Sequence, residues 1–198
     1  FANIRLNWDS ASTKQHTLLL TTPTAHAELA AAVANVAIAA AQSSIPTILV
    51  DADLRTPGLQ QRFGLAKGSG LSDLLAEASI SPQKIPNYLQ STFIPGLQVL
   101  GAGTAPAQGA LLLLSPKLEE TVNSICQYQA TSETQPGIVI FHSAPVLAGA
   151  DASLIGALME QTFLSIIVGH TTRAQAKQAQ EQLQRAHAKL AGIIMLNA

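Results

Sequence analysis

Two carboxylates stand at the end of a short apolar run, at a spacing that suits metal or phosphate chemistry. The run from Ile48 to Val50 leads into Asp51 and Asp53. A short uncharged run of this kind predicts a parallel strand buried on both faces, and open α/β sheets bind ligands at the carboxyl ends of such strands. Because residues two apart on a strand point to the same face, both carboxylates could face one metal ion or one phosphate-bound water. The alternative interpretation is a surface turn that follows a strand.

The residues after these carboxylates match a longer pattern. Arg55 is followed by Pro57-Gly58-Leu59, then by Phe63-Gly64-Leu65 and Gly70-Leu71-Ser72. The whole run closely resembles the second Walker-type motif of the bacterial tyrosine kinases, which form the cytoplasmic ATPase domain of polysaccharide co-polymerases in capsule and exopolysaccharide export. That family has a hydrophobic strand, Asp-Ala-Asp-Leu-Arg, a proline, Phe-Gly-Leu and Gly-Leu-Ser, and each part is present here in that order.

The resemblance covers essentially the whole chain and implies its fold. We expect one domain over residues 1–198 with the P-loop NTPase architecture, a three-layer α/β/α sandwich around a mostly parallel sheet. Strands are predicted over 16–21, 47–51, 97–100, 137–142, 163–168 and 192–197, and helices over 1–8, 27–41, 71–78, 172–189 and from a cap at Ser115 to 128. The chain begins with Phe1 and the family carries membrane helices upstream, so we expect a cytoplasmic fragment of a longer membrane protein.

The loop after the first predicted strand departs from the family's phosphate-binding pattern. The family has Pro-Gly-x-Gly-Lys-Ser/Thr before Ala-Ala-Asn-Leu-Ala, and residues 33–37 here read Val-Ala-Asn-Val-Ala. This alignment puts Leu29 at the lysine, Ala30 at the hydroxyl that ligates Mg²⁺, and His26 and Glu28 at the glycines. A phosphate cradle needs unobstructed backbone N–H groups and a cation near the β- and γ-phosphates. The resemblance therefore implies a degenerate nucleotide loop, made of Thr24, Ala25, His26, Ala27, Glu28, Leu29 and Ala30.

A second departure lies at the end of the strand predicted over 137–142. His142 occupies the position of the Walker B aspartate, and an imidazole does not replace a carboxylate at Mg²⁺, which prefers oxygen ligands. His142, Ser143 and Asp151 are also the residue types of a hydrolase triad. Adjacent strand residues point to opposite faces and no Gly-x-Ser-x-Gly elbow is present, so the sequence disfavours that chemistry. The resemblance also implies that Asn197 lies near the adenine of a bound nucleotide.

Composition excludes several classes of function. The net charge of -1 gives no support to nucleic-acid binding, and 12% charged residues is about half the usual share. The single Cys126 rules out an internal disulfide, and no signal peptide is visible. The uncharged run over 29–50 is long enough for a membrane span, but residues 42–46 (Gln-Ser-Ser-Ile-Pro) divide it into a helix and a strand.

Two functional hypotheses follow from the partial motifs. The first is a catalytically impaired domain at the cytoplasmic face of the bacterial inner membrane, without a cofactor, in which Asp51, Asp53 and Arg55 hold structure. It would assemble with itself or with polysaccharide polymerase and export components, beside its own upstream membrane region. The second is an active ATPase or tyrosine kinase that a partner subunit completes, with Asp51 and Asp53 holding Mg-ATP or Mg-ADP. A docking module related to the partition and division-site ATPases is a third reading, which the motif after Arg55 disfavours.

Overall fold

The chain folds around a seven-stranded sheet with helices on both faces, which confirms the predicted fold class. The structure, a computed structural model, describes residues 16–105, 111–132 and 136–197. The strands are β1 (His16–Thr21), β2 (Thr47–Ala52), β3 (Leu89–Ser91), β4 (Leu97–Leu100), β5 (Ile138–Ser143), β6 (Gln161–Val168) and β7 (Leu190–Asn197). The helices are α1 (Glu28–Gln42), α2 (Leu59–Arg62), α3 (Leu71–Ala76), α4 (Lys117–Ser132), α5 (Asp151–Leu158) and α6 (Arg173–Arg185), and short 3-10 turns span Pro82–Asn87 and Val146–Ala148.

The order of the strands brings three loops to one edge of the sheet. The order is β3-β4-β2-β5-β1-β6-β7, and every neighbouring pair is parallel except β3 with β4. Strand β5 lies between β1 and β2, so that Leu20 and Asp51 flank His142 from either side. Because ligands bind at the carboxyl ends of parallel strands, this edge is the expected position of a functional site.

The central strands are buried on both faces, as their uncharged sequences predict. On one face, Leu18 and Leu20 of β1 pack in a cluster with Val33 of α1. On the other face, Leu19 of β1 packs in a second cluster with Ile125 of α4. Alternate residues of the same strand therefore serve two cores, which is the arrangement that a near-continuous hydrophobic run requires.

The last helix and strand differ from their predicted bounds. Helix α6 ends at Arg185 rather than at residue 189, and His187 adopts a left-handed conformation with φ of 60°. A non-glycine residue in that conformation ends a right-handed helix. Strand β7 then begins at Leu190, two residues before its predicted start.

Several short elements were not predicted at all. Helices α2 and α5 and the three-residue strand β3 lie in stretches where the sequence predicted no helix or strand, because each is too short to show a clear hydrophobic period. Ser115 does not cap α4: its hydroxyl donates to the Leu112 carbonyl at 2.6 Å, and the helix begins at Lys117. The helix predicted over 1–8 lies outside the described residues. Within the described ranges, no helix has the length and apolar character needed to span a membrane.

Candidate functional site

A cavity of about 600 Å³ opens at the carboxyl ends of β1, β2 and β5. It lies between the start of α1 and the segment from Asp53 to Arg62, with His142 from β5 also on its wall. Five of the seven predicted loop residues border it, namely Ala25, His26, Ala27, Leu29 and Ala30. Thr24, Glu28, Asp51, Arg55 and Asn197 are not among its lining residues. The structure therefore brings together only part of the predicted site.

Asp51 is engaged by the protein on both carboxylate oxygens. Its Oδ2 accepts the backbone N–H groups of Gly58 at 3.0 Å and Leu59 at 2.9 Å, and its Oδ1 lies 3.2 Å from Nδ1 of His142. Asp51 is 1% exposed. Because Leu59 is the first residue of α2, this carboxylate holds the start of a helix and fixes the chain that returns from β2.

Asp53 forms a local turn with the residues that follow it. Its Oδ1 accepts the backbone N–H groups of Arg55 at 3.1 Å and Thr56 at 2.9 Å, and its Oδ2 accepts the Thr56 hydroxyl at 2.8 Å. Strand β2 ends at Ala52, so Asp53 lies beyond it, and a strand that continues through both carboxylates, which would point them to one face, is not present. Asp53 borders the cavity and Asp51 does not. The two carboxylates share no hydrogen-bond partner.

Arg55 ties the segment after β2 to the helix after β5. Its Nε donates to Oδ2 of Asp151 at 2.7 Å and its Nη2 donates to Oδ1 at 3.1 Å, a two-point contact with the first residue of α5. The hydrogen bond to Asp151 and the charge of that carboxylate raise the pKa of Arg55. The Asp151 side chain is buried, at 4% exposed, whereas that of Arg55 is 46% exposed, so the guanidinium contacts the carboxylate from the protein surface. Arg55 thus has a structural partner.

The loop before α1 lacks the backbone of a phosphate cradle. None of the residues 22–30 has a positive φ, although glycines in such cradles commonly use that region. Leu29 is 3% exposed and packs in the apolar cluster beneath α1. The backbone N–H of Glu28, the first residue of α1, donates to Nδ1 of His26 at 3.4 Å, and Glu28 itself is exposed. The loop is held by apolar packing, by this contact and by backbone contacts.

The described His, Cys, Asp and Glu side chains do not cluster in threes at the cavity. In the described ranges, no group of three or more His, Cys, Asp or Glu side chains is placed to hold a metal ion. His142 sits where the family's carboxylate would be, with 4% of its surface exposed and its Nδ1 turned to Asp51. The two aspartates accept hydrogen bonds from the protein, and a histidine stands where the family has a carboxylate.

This chain is similar to known proteins in both sequence and structure. No family model matches the sequence. The chain is 34% identical to the tyrosine-protein kinase YwqD of Bacillus subtilis over 162 residues, which are 82% of this chain and 64% of YwqD. The solved BceF tyrosine kinase domain is 30% identical and has a TM-score of 0.76, covering 92% of this chain and 69% of that domain. The chain belongs to the bacterial tyrosine-kinase family.

A protein outside the bacterial tyrosine-kinase family has the same fold. The septum site-determining protein MinD of Pyrococcus horikoshii, solved with Mg-ADP, has a TM-score of 0.70 at 16% identity and covers 91% of this chain and 70% of its own. At that identity the likeness shows the fold alone. Since the chain spans 64% of the length of YwqD, it corresponds to part of that kinase.

One cation at the cavity was not predicted by the motifs. Arg62 is the only lysine or arginine among the described residues that line it, and its Nη2 donates to the Ala27 carbonyl at 3.1 Å. The contact crosses 35 residues of sequence, from α2 to the start of α1. The basic residue before Phe63-Gly64 was visible in the sequence, but nothing in the motif indicated that it turns back over the loop.

Proposed function

We propose that this chain is a catalytically impaired bacterial tyrosine-kinase domain that acts as a scaffold or regulator. The observation that carries the proposal is the state of the two aspartates. The carboxylate oxygens of Asp51 and Asp53 accept hydrogen bonds from their own loop, and in the loop before α1 Leu29 and Ala30 stand where the family has its lysine and its hydroxyl. Phosphoryl transfer consists mainly of positioning and charge neutralisation, so losing the cation and the metal ligands together removes most of its basis.

The imidazole of His142 adds to this argument. Its Nδ1 lies 3.2 Å from Oδ1 of Asp51, in the place where a second carboxylate would help to hold a metal-bound water. Mg²⁺ at Asp51 would have to share the carboxylate with this contact and with the two backbone N–H groups at the start of α2. If the ion displaced one of those N–H groups, the buried amide left without a partner would cost about 1–3 kcal/mol. These contacts support the proposal that Asp51 has a structural role.

The proposed role is in capsule or exopolysaccharide chain-length control and export. It follows from the resemblance to the cytoplasmic domains of polysaccharide co-polymerases and is supported by membership of the tyrosine-kinase family. In this role the residues 1–198 form a single domain of a longer protein, at the cytoplasmic face of the bacterial inner membrane. The domain assembles with copies of itself, with polysaccharide polymerase or export components, and with its own upstream membrane region.

The test is a side-by-side assay of ATP hydrolysis and tyrosine phosphorylation with the BceF kinase domain as the active control. The purified protein and its oligomeric fraction are each incubated with Mg-ATP. We expect no phosphotyrosine and no hydrolysis above the background without protein. Magnesium-dependent phosphorylation that is lost in Asp53→Asn would overturn the proposal.

The second candidate is an active kinase or ATPase completed by a partner subunit. The intact Asp51, Asp53 and Arg55 favour it, since a partner would need to supply only the missing cation and hydroxyl to this site. Mg-ATP or Mg-ADP would then be its cofactor. Addition of the membrane region and export partners should produce turnover in this case, and its absence in the assembled complex would exclude it.

A further inference from the structure

We propose that two copies of this chain associate by pairing their β7 strands in antiparallel orientation, so that one sheet continues across the dimer. The inference deepens the proposed function and rests on its self-assembly, because it names the surface that the copies share. Strand β7 (Leu190–Asn197) is the last in the sheet order, and β6 is its only strand neighbour among the described residues. An edge strand presents unpaired backbone N–H and C=O groups with which a further strand can pair.

The two edges of the sheet differ in how well they are protected against such pairing. Proteins protect an edge by keeping its strand very short or by placing charges, prolines or bulges on it. Strand β3, at one edge, has only three residues. Strand β7 has eight residues, none of them charged and none a proline, and its ladder with β6 is regular from Gly192 to Asn197. The edge at β7 is therefore the one that can accept a partner.

One face of β7 carries apolar side chains that the described part of the chain leaves uncovered. Ile193 is 52% exposed and Met195 is 71% exposed, whereas Ile194 between them packs against the apolar cluster of β1 and α1. Helix α6 covers Leu164 of β6, which is the register partner of Ile193, but its cover does not extend to Ile193. An apolar surface of this kind beside an open strand edge is typical of an interaction surface.

The side chains of β7 fit a second copy of the same strand. Directly opposite residues of an antiparallel pair lie on the same face, and a two-fold axis makes each contact occur twice. With Ile194 at the axis, Ile193 of each copy lies opposite Met195 of the other, so the exposed apolar side chains cover one another. On the opposite face, Gly192 lies across from Leu196 and leaves room for its side chain. The strand is therefore complementary to itself.

The charge of the strand also favours a second copy over a charged partner. No charged side chain lies between Leu190 and Asn197, so the pairing brings no like charges of β7 together. Lys189 precedes the strand and lies outside the segment that pairs around Ile194. The net charge of -1 gives little long-range repulsion between two copies. A strongly charged partner would find no complementary charge on this strand.

The first test is sedimentation velocity of the purified chain over a range of concentrations. We expect a dimer whose dissociation constant rises about tenfold or more in Met195→Lys, because the ammonium group would be buried without a partner. Phe93→Lys is the matched control: Phe93 is 79% exposed and lies between β3 and β4, at the other end of the sheet. A dimer that Met195→Lys leaves unchanged, or that Phe93→Lys weakens equally, would overturn the inference.

Disulfide cross-linking tests the register without relying on a loss of binding. Ile193→Cys and Met195→Cys are each made in a Cys126→Ser background and carry tags of different size. Because directly opposite Cβ atoms are about 4.5–5.5 Å apart, mild oxidation of the mixture should give a mixed dimer in greater yield than either variant gives alone. Equal cross-linking of each variant with itself, or none in the mixture, would overturn the pairing. A monomer at every concentration would overturn this inference alone, whereas Mg-ATP turnover would refute the proposed function.

Discussion

Replacing His142 by the aspartate that the family has at this position should destabilise the protein strongly at neutral and alkaline pH. The introduced carboxylate would lie about 4 Å from that of Asp51, where the imidazole now makes a contact of 3.2 Å. Both positions are buried, with 1% of Asp51 and 4% of His142 exposed. At an effective dielectric constant of about 20, two like charges about 4 Å apart repel by about 4 kcal/mol.

The repulsion should depend on pH because one proton removes it. An unperturbed aspartate has a pKa of about 3.9 and one pKa unit is worth about 1.4 kcal/mol, so neutralising one carboxyl costs about 5.6 kcal/mol at pH 8 and about 1.5 kcal/mol at pH 5. At each pH the folded variant adopts whichever state costs less free energy, two repelling carboxylates or one neutralised carboxyl. His142→Asp should therefore lose about 4 kcal/mol at pH 8 and about 1.5 kcal/mol at pH 5. The sign follows because below about pH 7 the folded variant holds a proton that the unfolded chain has released, so stability falls as pH rises towards 7 and is level above it.

Urea unfolding followed by circular dichroism measures this effect. With a slope of about 2 kcal/mol per molar urea, the midpoint should fall by about 2 M at pH 8 and by less than 1 M at pH 5. His142→Asn is the matched control, because it keeps a donor towards Asp51 and introduces no charge. Equal losses in the two variants, or a loss in His142→Asp that does not change with pH, would refute the reasoning.

Three further predictions concern individual polar contacts of the fold. Arg55→Gln should lower the free energy of unfolding by about 2 kcal/mol in urea titrations, because it leaves the Asp151 carboxylate buried without its cation; the half-exposed position of Arg55 keeps the loss below that of a fully buried pair. Asp51→Asn should speed hydrogen exchange of the two amides at the start of α2, and unchanged exchange would show that the carboxylate does not hold them. The hydrogen bond to Glu77 raises the pKa of Tyr88 to about 12, so absorbance at 295 nm should show its ionisation there and Glu77→Gln should move it towards 10. The stability that depends on neutral Tyr88 should then be complete below pH 10 and lost as the pH rises through about 12.

The sequence alone predicted the central strands of the sheet, because each of them is a continuous apolar run. The run before Asp51 and the one that ends at His142 predicted β2 and β5 directly, and their carboxyl ends do meet at one edge. The family motif also identified the loop before α1 as the place where a phosphate cradle would be.

The contacts inside the site could not be predicted, because they join residues far apart in sequence. Asp51 and His142 are 91 residues apart, and Arg55 and Asp151 are 96 apart. Neither pair has a fixed spacing that a motif could record. Arg62 presents the same difficulty, since its role depends on the four-residue helix α2 turning it towards the start of α1.

The hydrogen bonds from Asp51 to the start of α2 have an evolutionary consequence. A substitution at Asp51 would remove the acceptor of two amides at the start of α2 in this chain, whether or not the cavity holds a nucleotide. Ala25, Ala27 and Glu28 are exposed, so changes there leave the core intact. Selection for a folded domain alone would therefore preserve Asp51 in this chain while the loop before α1 diverges. The retained aspartate is thus evidence of the fold rather than of phosphoryl transfer.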